Sequence, residues 1–189
     1  MATITLNRDN ILKPKMPNGG YIFRFPLGET VSEDPNVALP ATAITAGYLN
    51  AESGIKFGDN RSTNDAIIAL GGDALTTPEG VYDPQIEFTI WEVLSKNALD
   101  LVYGPGEVIY DAETDELTIH DKGGIPEACG LVFQVLSNGN KMTRTVWDRV
   151  EFVSRGDRTI SNDGLFEYPL VYKAVRVGET YSRSKTAPF

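Results

Sequence analysis

The residues with the clearest chemical potential in this chain are its single histidine, His120, and the aspartate that follows it, Asp121. A histidine beside a carboxylate can act as a general base with the group that orients it. A catalytic triad would also need a serine or cysteine close in space, and no nucleophile motif marks one. Adjacent His and Asp residues are far more often part of a solvated turn. A hydrolase that uses His120 and acidic residues is therefore a minor hypothesis.

Metal and phosphate chemistry find little support in the sequence. Zinc sites need several His or Cys ligands, and the chain has one of each, His120 and Cys129. The acidic run 111–116 lacks the Asp-x-Asp-x-Asp-Gly spacing of a calcium loop. The glycine pairs at 71–72 and 123–124 are not followed by Lys-Ser/Thr, so neither is a phosphate loop. We expect no catalytic residue, no metal ligand, no cofactor and no enzyme activity.

Cys129 lies in the apolar stretch 128–132. A single cysteine cannot form an internal disulfide. In an apolar setting a lone thiol is typically buried and unreactive. We expect Cys129 to be a core residue.

The best-defined structural element is a strand over residues 85–94. Ile86, Phe88 and Ile90 alternate with mostly polar residues, which gives the period of two of a half-buried strand. Ser95 can then cap a short helix, which Gly104 and the proline after it would end.

The second half of the chain predicts further strands. Residues 108–120 form a hairpin with an acidic tip, and residues 137–140 are a strong hairpin turn. The strand that follows, 142–153, leads through a turn-rich loop to a long final strand, 165–177. Pro169 within that last strand indicates a sheet edge or a bulge.

The period of two places Val146, Val150 and Phe152 on one face of the strand 142–153 and Trp147 on the other. With roughly seven or more strands, one short helix and no regular repeat, the sequence predicts a mainly β fold. The expected architecture is an antiparallel β-sandwich or barrel with one short flanking α-helix.

Composition limits the classes of partner. The net charge of −9 and a pI of about 4.6, without clustered Lys and Arg, disfavour a nucleic-acid-binding groove. Neither a signal peptide nor an apolar run of membrane-spanning length is evident. We expect a protein that is made and used without secretion and without a membrane.

The chain divides into an extended N-terminal arm (1–46), a body (47–178) and a polar C-terminal tail (179–189). A long polar, Gly-rich loop, 58–84, interrupts the body. Loops and arms of this length are unusual in a compact domain unless they are functional.

The arm is rich in proline, with a short predicted strand near Tyr21, Phe23 and Phe25. Disordered tails are usually poor in aromatic residues, so these three favour an arm that orders on a partner. The alternative is a disordered tail. On the arm hypothesis, removal of residues 1–45 leaves a folded body that no longer assembles.

The loop 58–84 contains an apolar five-residue segment that includes Ile67, Ile68 and Leu70. These side chains are predicted anchors of a docking strand or hairpin that bridges subunits. The alternative is that they are tucked into the core of their own subunit.

Four ordered blocks of the sequence resemble motifs of siphophage major tail proteins, which form the tail tube. Residues 47–57 (GYLNAESGIKF) are similar to that family's opening motif, and residues 66–76 (AIIALGGDALT) to its GGD-containing segment. Residues 85–92 (QIEFTIWE) resemble its central strand, and residues 98–104 (ALDLVYG) its helix end. Together the blocks span residues 47–104, which is about a third of the chain.

The resemblance implies a structural virion protein located in the tail and assembled in the bacterial host cytoplasm. Its subunits would form stacked rings, usually of six, around a lumen for DNA ejection. The implied partners are further copies of the chain, the tape measure protein, and the tail terminator and distal tail proteins. DNA would pass through without specific binding.

The polar face of the central strand carries Glu87, which we predict to contribute to a net negative lumen. The alternative is that Glu87 lies under the helix or at a subunit contact, where Lys96 or Arg149 could pair with it. A competing function is a carbohydrate-binding β-sandwich module on a virion or cell surface. In that case Tyr168, Tyr172 and Trp147 would supply the aromatic groove.

Overall fold

The computed structural model describes residues 14–15, 22–47, 49, 53–62, 65–68, 74–76, 80–91, 95–104, 106–137, 141–158 and 167–188. In chain order the elements are β1 (Pro14–Lys15), β2 (Ile22–Phe25), β3 (Ile44–Thr45), β4 (Ile55–Arg61), β5 (Ile67–Ile68), β6 (Ala74–Thr76), β7 (Tyr82–Ile90), α1 (Lys96–Tyr103), β8 (Val108–Asp111), β9 (Glu116–Ile119), β10 (Cys129–Ser137), β11 (Lys141–Arg155), β12 (Tyr168–Ala174) and β13 (Arg183–Pro188).

Nine of these strands form one antiparallel sheet in the order β3-β2-β10-β11-β12-β7-β4. Strand β1 pairs with β10, and β13 pairs with β11. The pairs β5–β6 and β8–β9 are separate two-stranded hairpins. The protein is therefore mainly β and antiparallel with one helix, which confirms the predicted fold class.

The sheet curls so that β4, the strand at one edge, faces the central strands β10 and β11. Phe57 on β4 lies 5.3 Å from Trp147 on β11 and 5.7 Å from Phe133 on β10, measured between ring centroids. Since β4 is separated from β11 by β7 and β12 in the sheet, only a strongly curved sheet brings these rings together. The main core lies inside this curve.

Helix α1 covers the main core. Ser95 caps its first turn by accepting a hydrogen bond from the Ala98 N–H, and Gly104 ends it with φ at +96°. The Tyr172 hydroxyl donates to the Leu101 carbonyl at 2.6 Å, which ties the helix to β12. Each large apolar side chain buried in this interface contributes about 1.5–3 kcal/mol. The helix and both of its caps match the sequence prediction.

A second, smaller core lies on the other face of the sheet. Residues 26–43, called the strap from here on, cross β10 and β11 and insert Val31 against Phe25, Val132 and Val146. The approach is close, because a Cβ at Gly130 would collide with the Phe25 ring. A glycine is therefore required where the strap end of β2 meets β10.

Three cations hold the strap in place. Arg144, only 2% exposed, donates to the carbonyls of Ser32 and Asp34 at 3.0 and 2.8 Å. Arg183 donates to the Val31 carbonyl at 3.1 Å. Lys185 pairs with the Asp34 carboxylate, and its hydrogen bond lowers the pKa of Asp34.

The N-terminal region differs from the predicted arm. Ile22 and Phe25 are 2% and 1% exposed, and β2 pairs with both β3 and β10. Removal of residues 1–45 would strip β2 and the strap from the cores rather than leave an intact body. The arm hypothesis now concerns residues 1–21, of which the structure describes only Pro14–Lys15.

The C-terminal region and the loop also have different bounds from those predicted. The supposed tail contains β13, which pairs with β11 from Val146↔Arg183 to Lys141↔Pro188. The loop begins after Arg61 and ends before Tyr82, because β4 and β7 extend further than their apolar residues indicated.

Strand β11 does not keep a single period of two. Its partners on β10 shift from Leu131↔Trp147 to Cys129↔Val150, so one extra residue is inserted on β11. Trp147 and Val150 therefore both lie in the main core, whereas Val146 lies in the second core. The predicted grouping of Val146 with Val150 was wrong for this reason.

Strand β12 is internal, between β11 and β7, and not an edge. Pro169 is its second residue, where its carbonyl accepts from the Gly156 N–H just past the end of β11. The register with β11 shifts nearby, between Phe152 and Ser154. The proline is tolerated at the strand start beside this irregularity.

Candidate assembly surface

The loop between β4 and β7 projects a small hairpin from the body. Its neck is closed by two hydrogen bonds, from the Ser62 N–H to the Val81 carbonyl at 3.0 Å and from the Val81 N–H to the Ser62 hydroxyl at 2.9 Å. Beyond the neck, β5 and β6 pair with each other and with no other strand in the part of the chain that the structure describes. An isolated two-stranded hairpin is marginally stable in water and gains most from packing against something else.

The hairpin exposes two consecutive aliphatic side chains, Ile67 and Ile68, called the isoleucine pair. They are 51% and 64% exposed, and the register with β6 shifts between them. They do not seal the core of their own subunit, which was the alternative considered from the sequence. Leu70, the third predicted anchor, lies outside the described residues.

A second feature of this end of the molecule is the aromatic cleft, defined by Phe57, Tyr82, Trp147 and Tyr181. It has a volume of about 270 Å³ and lies where the curled sheet brings β4 and β7 towards β11 and the start of β13. Phe57 stacks on Trp147 but is 53% exposed on its open side.

The opposite wall of the cleft is made by Tyr82 and Tyr181, whose rings are perpendicular at 4.9 Å. The Arg61 guanidinium lies over the Tyr82 ring, 4.6 Å from its centroid. Partial desolvation raises the pKa of Tyr82, so its phenol is neutral in the physiological range. The cleft is therefore an aromatic hollow with the Arg61–Asp59 ion pair at its rim.

The aromatic groove predicted for a carbohydrate-binding module is not formed. Tyr168 and Tyr172 are 3% and 0% exposed and belong to the main core. Of the three residues named for that groove, only Trp147 reaches a cleft.

The predicted arm aromatics are not exposed on an arm. Phe25 is buried in the second core, and Phe23 packs against that core. Tyr21 lies outside the described residues. Phe23 and Phe25 hold β2 and the strap on the sheet, a task that the sequence alone did not reveal.

Glu87 points away from the main core, as the alternation on β7 predicts. Its carboxylate lies 3.7 Å from the Lys56 ammonium on the neighbouring strand β4. The partners suggested from the sequence are engaged elsewhere: Lys96 pairs with Asp100, and Arg149 pairs with Glu151. The contribution of Glu87 to a lumen stays a prediction.

The face around Glu87 carries both signs of charge. Lys173 lies 3.7 Å from Glu151, and Glu151 also accepts from Arg149 at 2.7 Å. Exposed pairs of this kind are worth little individually and weaken with salt. Their arrangement makes this face a mixed rather than an acidic surface.

The residues first considered for chemistry have different surroundings in the structure. His120 is exposed, and the Asp121 carboxylate accepts from Arg155 at 3.2 Å. Cys129 is buried, as predicted, and burial raises the pKa of its thiol to about 12. Within the described ranges, no group of three or more His, Cys, Asp or Glu residues is placed to hold a metal ion.

Two functional features, the burial of Arg144 and the aromatic cleft, were not predicted from the sequence. Arg144 lies on the same face of β11 as Met142 and Val146, so the alternation indicates a buried position, but the carbonyls that pair with its guanidinium come from the distant strap. The aromatic cleft combines residues from four separate strands and loops, so it depends on the curl of the sheet.

In the part of the chain that the structure describes, no helix has the length and apolar character needed to cross a membrane. A scan against protein-family models finds no match, and a search of curated proteins finds none either.

The solved structures that are similar to the chain include the following two, each at 18% identity. One is the tail of an empty gene transfer agent particle, solved with helical refinement and C6 symmetry, with a TM-score of 0.34 over 86% of this chain and 96% of the other. The second is the virion of a native gene transfer agent particle, with a TM-score of 0.32 over 74% of this chain and 88% of the other.

Proposed function

We propose that this chain is the repeating subunit of the tail tube of a long-tailed phage. The four sequence blocks that resemble tail tube proteins fall on consecutive elements of the fold. Residues 47–57 lead into β4, residues 66–76 span the β5–β6 hairpin, residues 85–92 cover most of β7, and residues 98–104 lie in α1 and its cap. The resemblance therefore follows one continuous structural unit.

The observation that carries the proposal is the exposed isoleucine pair on a hairpin that pairs with no other described strand. Exposed adjacent apolar side chains on a small projecting element are typical of a contact surface. A subunit that polymerises would bury them, whereas a monomer would leave them in water.

In this proposal the subunits form stacked rings of six around a channel for DNA, as in the family that the sequence resembles. The protein would be a non-enzymatic component of the virion tail, assembled in the bacterial cytoplasm. Its partners would be further copies of itself, the tape measure protein, and the tail terminator and distal tail proteins. A net charge of −9 suits a conduit in which DNA must slide without being held.

Negative-stain electron microscopy of the purified protein over a concentration series tests the proposal directly. We expect rings or tubes of constant diameter that increase with concentration, together with a matching rise in mass by light scattering. Monodisperse monomers at every concentration, in the presence and absence of the tape measure protein, would contradict it.

A further inference from the structure

The isoleucine pair and the aromatic cleft are a projecting apolar group and an apolar hollow on the same chain. Because Ile67 and Ile68 are more than half exposed, they do not occupy the cleft of their own subunit. We infer that the isoleucine pair of one copy inserts into the aromatic cleft of a second copy. This inference rests on the proposed function and specifies the contact that joins the subunits.

The size of the cleft favours side chains over larger ligands. A buried apolar cavity of about 150 Å³ accommodates one benzene molecule. The cleft, at about 270 Å³, has room for one or two aliphatic side chains. Pockets that bury a drug-sized ligand are roughly 300–1,000 Å³, so a sugar oligomer would lie mostly outside it.

The lining of the cleft favours an aliphatic guest. Phe57 is 53% exposed and offers carbon surface, whereas Trp147, which also lines the cleft, is only 7% exposed. Two hydroxyls at the rim are paired with each other, because the Ser184 hydroxyl donates to the Thr145 hydroxyl at 2.8 Å. Anchors that fill a desolvated pocket usually dominate the binding energy of an interface.

Charges beside the two surfaces are complementary. Asp65 is exposed two residues before Ile67. Arg61 at the cleft rim is also exposed and lies 3.6 Å from Asp59, so it keeps donors for a second carboxylate. When the isoleucine pair enters a neighbouring cleft, Asp65 is brought towards the Arg61 of that neighbour.

The contact is heterologous, since a projection on one copy meets a different surface on the next. Heterologous contacts generate rings when the rotation closes and open helical arrays when it does not. A single repeated contact of this kind is therefore sufficient to build a ring.

Disulfide trapping between two variants tests the contact. Ile68→Cys and Ser182→Cys place one thiol on the hairpin and one at the cleft, and Ile67→Cys provides a second hairpin position. The native Cys129 is buried with a raised thiol pKa, so it does not compete. When Ile68→Cys and Ser182→Cys are mixed and mildly oxidised, we expect a disulfide-linked dimer that a reducing agent separates. Neither variant alone should form this dimer. The Ile68→Cys/Ser182→Cys double variant is expected to give a ladder that ends at the ring size.

Ile125→Cys is the matched control, because Ile125 is 75% exposed and outside the hairpin. The yield of cross-linked dimer with Ser182→Cys is compared between Ile125→Cys and Ile68→Cys. If the two yields are equal, the inference is overturned. If the wild-type protein forms tubes but neither Ile67→Cys nor Ile68→Cys cross-links to Ser182→Cys, the proposed contact is wrong and the proposed function is unaffected. Saturable binding of a saccharide in the cleft, with no cross-link, would assign the cleft to carbohydrate instead. A wild-type protein that never assembles overturns both the contact and the function.

Discussion

Arg144 has the largest predicted effect of any single side chain. Its guanidinium is buried and donates to three carbonyls of the strap, those of Ser32, Asp34 and Pro35. Arg144→Met would leave these acceptors without donors inside the protein. We expect a loss of about 2–4 kcal/mol in the free energy of unfolding, measured by urea denaturation.

Arg149→Met is the matched control on the same strand. Arg149 is exposed and pairs only with Glu151, so its removal should cost less than about 1 kcal/mol. Equal effects of the two substitutions would show that the strap contributes little to stability.

Cys129 provides a probe of core opening. With a thiol pKa of about 12, only about one molecule in ten thousand carries the thiolate at pH 8. Burial further blocks access of a reagent. We expect no reaction with a thiol reagent in the folded protein at pH 8, and rapid reaction in urea. Fast labelling of the native protein would show that the β2–β10 region opens locally.

At the scale of residues, the sequence predicted those features that depend on near neighbours. The Ser95 cap, the Gly104 helix end and the burial of Cys129 each follow from a few adjacent residues. The burial of Arg144 depends on the strap, more than a hundred residues away in sequence. The alternation on β11 places Arg144 on a buried face, but it does not show which segment covers that face.

At the scale of elements, two truncations separate the arm from the body. Deletion of residues 1–13 removes none of the buried side chains described above, and we expect a normal melting temperature. Deletion of residues 1–45 removes Ile22, Phe25 and Val31 from the cores, and we expect no cooperative unfolding transition. Circular dichroism melts compare the two proteins.

The same pair of truncations tests the remaining arm hypothesis. If residues 1–13 bind a neighbouring subunit, the shorter deletion should stay folded but lose tubes in electron micrographs. Normal tubes from that protein would remove any role for these residues in assembly.

The β5–β6 hairpin gives the sharpest test at this scale. Ile68→Asp introduces a charge at a site that is 64% exposed, so the melting temperature should not change. Burial of that charge in an interface is unfavourable, and we expect the critical concentration for tubes to rise by on the order of tenfold or more. Ile68→Val should retain assembly. A collapsed melting temperature for Ile68→Asp would place Ile68 in the core.

Elements were predicted better than their arrangement. The alternation of Ile86, Phe88 and Ile90 identified β7, and the turn signal at 137–140 identified the β10–β11 pair. The strand order, the strap and the incorporation of β13 depend on contacts between distant segments, which periodicity does not encode. The inserted residue on β11 placed Val150 on the face of Trp147 instead of the face of Val146, since each slip by one residue reverses every later side chain.

At the scale of the whole molecule, the net charge of −9 does not by itself describe a channel. The acidic residues include a cluster at the tip of the β8–β9 hairpin, where Asp111, Glu113, Asp115 and Glu116 are all exposed. The face around Glu87 instead alternates in sign. Which of these surfaces would line a tube depends on assembly, so the sequence could predict the total charge but not its placement.

Glu87→Lys distinguishes a channel residue from a contact residue. The substitution places a second ammonium beside Lys56, and like charges opposite each other on neighbouring strands cost about 0.2–1 kcal/mol. If the face lines the channel, phages with this change should form normal tails. They should eject DNA more slowly, because DNA is held by the added positive charge, and the defect should ease as salt rises.

The double variant Glu87→Lys/Lys56→Glu exchanges the two charges while leaving the sum over the face unchanged. For a channel residue, ejection should return towards the wild-type rate, because passing DNA responds to the summed charge of a region wider than one ion pair. If Glu87 is a contact residue, Glu87→Lys should break assembly. The double variant would then restore assembly only if the neighbouring copy can pair with either charge at position 87. Broken tubes with no change in the ejection rate of surviving particles would therefore exclude the lumen and place Glu87 between subunits.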